Sequence, residues 1–231
     1  ETDEIALYFD IAKYHTNYTA LQNETAWQLI DNSMSCDYKG GQIQTAWCYL
    51  EEPKNVKTDK RAELEENDTK TLIELLDYLK KNNLNALFVV CPYFITTEEY
   101  AKYNTIGDIV SDYGYEFLNT NDYYQEMGID FSTDFYHVNH VNSLGARKYT
   151  DFLGNYLSQN YNLPDHRDDI NYREWQTLAE NYILTADSSH ATVQNMIESA
   201  NEAYEIAENI KKTYDFTEWA ALVNDERFTV I

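Results

Sequence analysis

The sequence predicts an α/β protein with a parallel sheet and a helical C-terminal extension, and three observations lead there. A continuous apolar run, Ala86 to Cys91, stands between two stretches of helical spacing, and a second short run, Tyr115 to Leu118, follows the later of them. Beyond Pro164 only helical periodicity recurs. The order helix, strand, helix, strand, loop, helix is that of a layered sheet whose strands run the same way.

Taken in order, apolar residues recur at helical spacing from Glu4 to about Ile30, broken near His15 to Leu21, which predicts two short helices. Asp31 to Lys60 mixes Gly40-Gly41, Pro53 and charge, an irregular excursion with one candidate strand at Ala46-Trp47-Cys48-Tyr49-Leu50. Thr69 is placed to cap a helix through Leu79, with Leu72, Ile73, Leu75, Leu76 and Leu79 on its buried side and Lys80-Lys81 where the dipole favours cations. The run Ala86 to Cys91 lacks polar alternation, as a strand covered on both faces would. Pro92 ends it; Thr96 or Thr97 starts a helix that stops at Gly114, and Tyr115 to Leu118 is the next strand, closed by Asn119-Thr120-Asn121-Asp122. A long helix follows the stretch Asp134 to Ala146, with Leu144, Tyr149, Phe152, Leu153, Tyr156 and Leu157 as its apolar positions. After Pro164, residues 165–169 read as charged linker, and Tyr172 to Tyr182, Ala191 to Lys212 and Phe216 to Val223 as helices, the middle one striped by Ile197, Ala200, Tyr204, Ala207 and Ile210. The expected division is 1–60, 61–164 and 165–231.

Composition narrows the function classes. Against 40 Asp and Glu stand 17 Lys and Arg, a formal charge of −23 that repels nucleic acid phosphates and anionic lipid, so neither is an expected partner. No run of about 18 apolar residues is present, and Glu1-Thr2-Asp3-Glu4 is unlike a signal peptide. The lack of an initiator Met and the strand-like end Phe228 to Ile231 lead us to expect an excised fragment. Cys36, Cys48 and Cys91 match no zinc spacing; Cys36 and Cys48 would close a small disulfide loop, and Cys91, ending an apolar strand, is expected to be inert core.

The residues that carry chemistry lie in Asp134-Phe135-Tyr136-His137-Val138-Asn139-His140-Val141-Asn142-Ser143-Leu144-Gly145-Ala146, a polar loop that opens into the long helix. At the carboxyl end of a parallel sheet this loop should meet Pro92-Tyr93 and Asn119 to Asp122. An imidazole titrates near neutrality, so His140 is the candidate general base, with His137 second and Asp134, Asp130 or Asp122 as the group that orients the ring. The rival reading makes His137, His140 and an Asp ligands of zinc or iron, on a common His-x-x-His spacing.

The stretch from Leu72 to about Trp175 resembles the C-terminal half of an SGNH/GDSL-type hydrolase, in the branch found in anaerobic Firmicutes and related to cell-envelope acyl-transfer proteins of the DltD kind. The matching pieces are Leu87 to Tyr93, Phe117 to Tyr123, Asp130 to Tyr136 and, above all, His140-Val141-Asn142-Ser143-Leu144-Gly145-Ala146-Arg147-Lys148-Tyr149; Tyr8 to Leu21 resembles the same proteins more loosely. The resemblance implies an incomplete three-layer α/β/α domain of flavodoxin-like layering, with His140 in the position of the catalytic histidine and the acid that orients it three residues earlier. There this chain has His137, and an imidazole cannot stabilise the imidazolium that forms as a carboxylate does; Asp134, one turn away, is the substitute. The site expected on this basis is His140, Asp134 and His137. The family's serine, in a strand-Gly-x-Ser element, has no counterpart before His140; Ser33 and Ser35 follow a helix and lack the presenting strand. The resemblance implies a fragment of a serine esterase or acyltransferase acting on acyl groups of cell-envelope polysaccharide, extracytoplasmic, with no cofactor and no metal. The expected partner is acylated polysaccharide or another envelope glycan, with no membrane contact from this chain itself. The alternative is a non-catalytic carbohydrate- or protein-binding module, to which the 21 tyrosines would lend ring surface.

Overall fold

The computed structural model describes residues 43–224. They fall into two compact units: Ile43 with residues 165–185, and residues 44–164 with 186–224. The expected N-terminal helices, Ser33, Ser35, Cys36 and the segment Tyr8 to Leu21 lie outside the described residues.

In the larger unit the first helix, α1 (Glu66–Lys81), carries Glu66 and Asp68 in its first turn and Lys80 and Lys81 in its last, the polarity the macrodipole favours. It begins three residues before Thr69. The cap position is Glu65, which makes no side-chain cap bond, and the Thr69 hydroxyl donates to the Glu65 carbonyl instead. Of the five residues assigned to the buried side, only Leu76 is buried; Leu72 and Leu79 are half-buried, and Ile73 and Leu75 are exposed. Helical spacing reported an amphipathic helix, but the strip actually covered is narrower than the apolar one.

Strand β1 (Leu87–Val90) pairs in parallel with β2 (Glu116–Asn119), Leu87 opposite Glu116 and Val90 opposite Asn119, and α2 (Thr97–Asp112) joins them. This is a mixed α/β arrangement with a parallel two-stranded sheet, and the described residues are mostly helical. Thr96 caps α2 in a reciprocal box with Glu99, and Gly114, at φ 85°, takes the left-handed turn that closes it. All four residues of β1 are half-buried rather than fully covered on both faces, and among the described residues its one ladder neighbour is β2. Cys91, just beyond, is exposed rather than core.

A cluster of buried residues follows β2 in the chain. A 3-10 turn (Thr120–Asp122) and the short α3 (Tyr124–Met127) lead into Ile129, Phe131 and Phe135, which bury together with Tyr124 and Met127. Phe131 stacks on Phe135 at 4.6 Å and meets Tyr124 edge-on at 5.0 Å. The candidate strand at Ala46–Leu50 is an extended strap over this cluster without strand pairing of its own: Cys48 N–H donates to the Phe135 carbonyl and Leu50 N–H to that of Phe131. A second strap runs along α2, where Arg61 forks onto Asp108 and Asn104 donates to the Thr58 and Lys60 carbonyls.

The long helix is α4 (Ser143–Asn160). Near its end Tyr156 and Tyr161 both donate to the Glu116 carboxylate on β2, and these bonds hold that carboxyl below its ordinary value of 4.5. A group lowered in the folded state stabilises the fold above its unfolded value, and that contribution disappears as pH falls through the lowered one. The carboxyl 13C titration of Glu116 should therefore have a midpoint below that of an ordinary glutamate, returning to it in the Tyr156→Phe/Tyr161→Phe double variant. An unchanged midpoint in that variant would remove the tyrosines as the cause.

Two expected helices merge into one. Helix α5 runs without a break from Arg173 to Lys212, 40 residues, because the segment Ile183 to His190 between the predicted halves contains neither Gly nor Pro. In the larger unit Val193 and Ser189 of α5 are buried, and α5 is tied to α4 by His190 Nε2–H on the Ser143 carbonyl at 2.9 Å and Asp187 on Arg147 at 3.0 Å. Tyr204, placed in the apolar stripe, is 68 % exposed. Helix α6 (Phe216–Val223) matches its predicted span, capped by Asp215. In the smaller unit the His166 ring, in the stretch expected as charged linker, stacks on Tyr172 at 4.1 Å.

Candidate functional site

The polar loop around the two histidines is a hairpin, β3 (Phe135–His137) antiparallel to β4 (His140–Val141), with an irregular register between Phe135 and His137. Asn142 holds its base. Fully buried, it accepts at Oδ1 from the Leu144 and Gly145 N–H groups, as the cap of α4, and donates at Nδ2 to the Thr133 and Phe135 carbonyls at 2.7 and 3.2 Å. Its own N–H reaches the Asp134 carbonyl, so one side chain joins the hairpin, the turn before it and the helix after it. Gly145 allows that closeness, since a Cβ there would stand 2.5 Å from the Asp134 carbonyl oxygen.

The hairpin tip is tied to the carboxyl end of the parallel strands. Phe94 N–H donates to the Val138 carbonyl at 2.8 Å. One residue before Phe94, Tyr93 N–H donates to the side chain of buried Asn121, which also accepts from the Tyr124 hydroxyl and donates to the Cys91 carbonyl and the Asn119 side chain. Pro92-Tyr93, Asn119 to Asp122 and the His137–His140 hairpin are thus linked in one continuous bonded region. Burial pushes the Tyr93 and Tyr124 hydroxyls well above the usual phenol value, so both serve as neutral hydrogen-bonding groups. Cys91 also faces this region, its thiol 3.5 Å from the Tyr149 hydroxyl of α4.

No family model matches the chain, nor does any curated protein or solved structure. The site therefore stands on its own residues.

His137 and His140 come together. His137 Nε2 lies 3.0 Å from His140 Nδ1, the rings are edge-on at 77°, and Asn139 N–H donates to His137 Nδ1 at 3.1 Å. The carboxylates proposed to orient His140 are engaged with other groups. Asp134, 1 % exposed, pairs with Lys148 Nζ at 2.6 Å and accepts from Asp130 N–H and the Thr133 hydroxyl. Asp130 accepts from the Ser132 N–H and hydroxyl, and Asp122 from the Tyr100 hydroxyl at 2.6 Å while pairing with Lys57. The metal reading needs a third ligand. Among the described residues no cluster of three or more His, Cys, Asp or Glu is placed to hold an ion, and none of the helices is long and apolar enough to cross a membrane.

Three residues of the region escape sequence reasoning. Lys148 reads as a surface residue of an amphipathic helix, and nothing local announces that it reaches a carboxylate 14 positions back. Asn121 lies in the run expected at this edge of the sheet, but the bonds its side chain makes there have no local signal, and Phe94 acts through its backbone. The Asn142-x-x-Gly145 pair, by contrast, has a local signal in the cap preceding an apolar-periodic segment.

Proposed function

We propose that the chain supplies the C-terminal half of an SGNH-type three-layer α/β/α domain belonging to an extracytoplasmic serine esterase or acyltransferase, and that His140 is the catalytic histidine of that domain. The observation that supports this reading is the Phe94–Val138 backbone bond, which together with Asn121 keeps the histidine hairpin at the carboxyl end of β1, where α/β sheets gather their chemistry. The nucleophile is a serine outside the matched stretch. In the reaction its hydroxyl attacks the ester carbonyl while the histidine takes its proton, and the same proton goes to the departing alcohol as the ester C–O bond breaks. Acyl groups on cell-envelope polysaccharide are the proposed substrate, on the strength of the sequence resemblance.

The test is hydrolysis of p-nitrophenyl acetate by the longest natural form of the protein, by its His140→Ala variant and by the 231-residue chain. A positioned general base contributes about 10²–10⁴-fold, so His140→Ala should lose at least about 10² of the longer form's activity. Equal activity in wild type and variant would sink the assignment.

A second reading, a non-catalytic module binding an envelope glycan or protein, is favoured by one specific observation: the group facing His140 Nδ1 is an imidazole. Wild-type inactivity of the longer form, with retention on an acylated-glycan column, would decide for it.

A further inference from the structure

We propose that the groove between α1 and α2 is a docking site for a basic amphipathic helix of a partner protein, which lays an apolar stripe on the groove floor and lysines or arginines along its rim. The inference is independent of the hydrolase reading, because no residue of the histidine hairpin enters it.

The groove has a volume of about 860 Å³, and bonds close it at both ends. At one end the Tyr113 hydroxyl donates to Asp77 at 3.0 Å, with Lys80 Nζ 5.6 Å over the Tyr113 ring. At the other, Ala62 N–H donates to the Ala101 carbonyl at 3.1 Å and leads Leu64 into the groove. The two walls are therefore held relative to each other without a ligand.

The floor offers apolar surface and no spare hydrogen bonds. Leu64, Ile73 and Ile109 line it, and Ile73 is 37 % exposed. Its two hydroxyls are already used: Thr105 donates to the Ala62 carbonyl at 2.6 Å and Thr69 to that of Glu65 at 3.1 Å. The backbone of each wall is bonded within its own helix. An extended peptide laid here would leave its N–H and C=O groups without partners, whereas a helix arrives with its backbone already bonded. From residue 66 to residue 74 α1 runs about 12 Å, room for two turns of a partner helix presenting apolar side chains at i, i+3 or i+4 and i+7.

The rim sets the sign of the partner. Glu63, Glu66 and Glu74 stand there against Lys70, and that one ammonium reaches Glu74, at 3.8 Å. All four side chains are exposed. A cationic helix neutralises the excess of carboxylates. An acidic one is repelled, and so is a second copy of the chain, which brings the same rim and the same formal charge of −23.

The probe is a fluorescein-labelled peptide of leucine and lysine, about 14 residues long and patterned to a single leucine stripe when helical, beside its counterpart with glutamate for lysine. Each is titrated into the 231-residue chain at about 0.15 M salt. The lysine peptide should bind one per chain and slow amide exchange across residues 63–74 and 105–109, and the glutamate peptide should not bind. Ile73→Asp, at an exposed position, should weaken binding at least about tenfold. Glu63→Gln/Glu66→Gln should weaken it and flatten its salt dependence, while Glu198→Gln/Glu205→Gln, the same loss of charge on exposed positions of α5, should leave it unchanged. Equal weakening by the two double variants would mean general attraction to an acidic chain and overturns the proposal. So does unchanged affinity in Ile73→Asp, protection mapped away from α1 and α2, or no binding of the lysine peptide at all. None of these readouts uses esterase activity, so failure of the hydrolase reading leaves them standing.

Discussion

Replacing Asn142 by alanine is expected to destabilise the larger unit by about 4 kcal/mol, far more than a lost helix cap. The cap itself accounts for roughly 1 kcal/mol. The remainder comes from the Thr133 carbonyl, bonded at 2.7 Å to the fully buried Asn142 Nδ2, since a buried acceptor left without a partner costs about 1–3 kcal/mol, while the Phe135 carbonyl loses one bond and keeps the Cys48 N–H. Chemical denaturation would give the value from the midpoint, provided the slope is unchanged. Asn142→Ser separates the two contributions, because serine keeps the cap and loses the carbonyl donors. It should recover about 1 kcal/mol of the loss. An alanine variant within about 1 kcal/mol of wild type would mean that the turn, hairpin and helix are held by something other than this side chain.

The second large effect is expected at Lys148. Its ammonium pairs with Asp134, whose side chain is 1 % exposed while that of Lys148 is 37 % exposed. The two ends of the pair therefore differ in what their removal leaves behind. Lys148→Met strands a buried carboxylate with two hydrogen bonds, from Asp130 N–H and the Thr133 hydroxyl, and should cost about 3 kcal/mol, the lower end of what breaking a buried pair costs. Neutralising the carboxylate as well, in Asp134→Asn/Lys148→Met, should recover most of that loss, because the charge without a partner is gone while the side-chain shape remains. A double variant as unstable as the sum of the singles would show that packing, not the stranded charge, dominates.

These two positions separate what sequence can announce from what it cannot. Asn142 stands directly before an apolar-periodic stretch, and its acceptor role reaches only two and three residues ahead, so the cap is legible from the chain alone. Its two donor bonds run backwards across the hairpin, and nothing in the local sequence reveals them. Asp134 was legible as a candidate carboxylate and its proximity to the histidines along the chain was evident, yet proximity along the chain did not decide its partner. The same distinction holds for the histidine pair. His137 and His140 were expected as neighbours three residues apart, whereas the hairpin that faces one ring onto the other depends on the bulged register of β3 and β4 and on the Phe94 bond at its tip.

By itself the sequence determined those features whose causes lie within about one helical turn. These are a helix start at Thr96 or Thr97, the stop at Gly114, the span of α6, and the order helix, strand, helix, strand from the segment at Thr69 to the turn at Asn119. Only the tertiary structure decided how much of each apolar face is covered, why β1 is half-buried, why Cys91 is exposed, and that Asp134 answers to Lys148 rather than to an imidazole. The physical reason is the range of the interactions. Capping and turn geometry are settled between neighbours in the chain, while burial and the choice of a charge's partner are settled by groups that folding brings together from far along it.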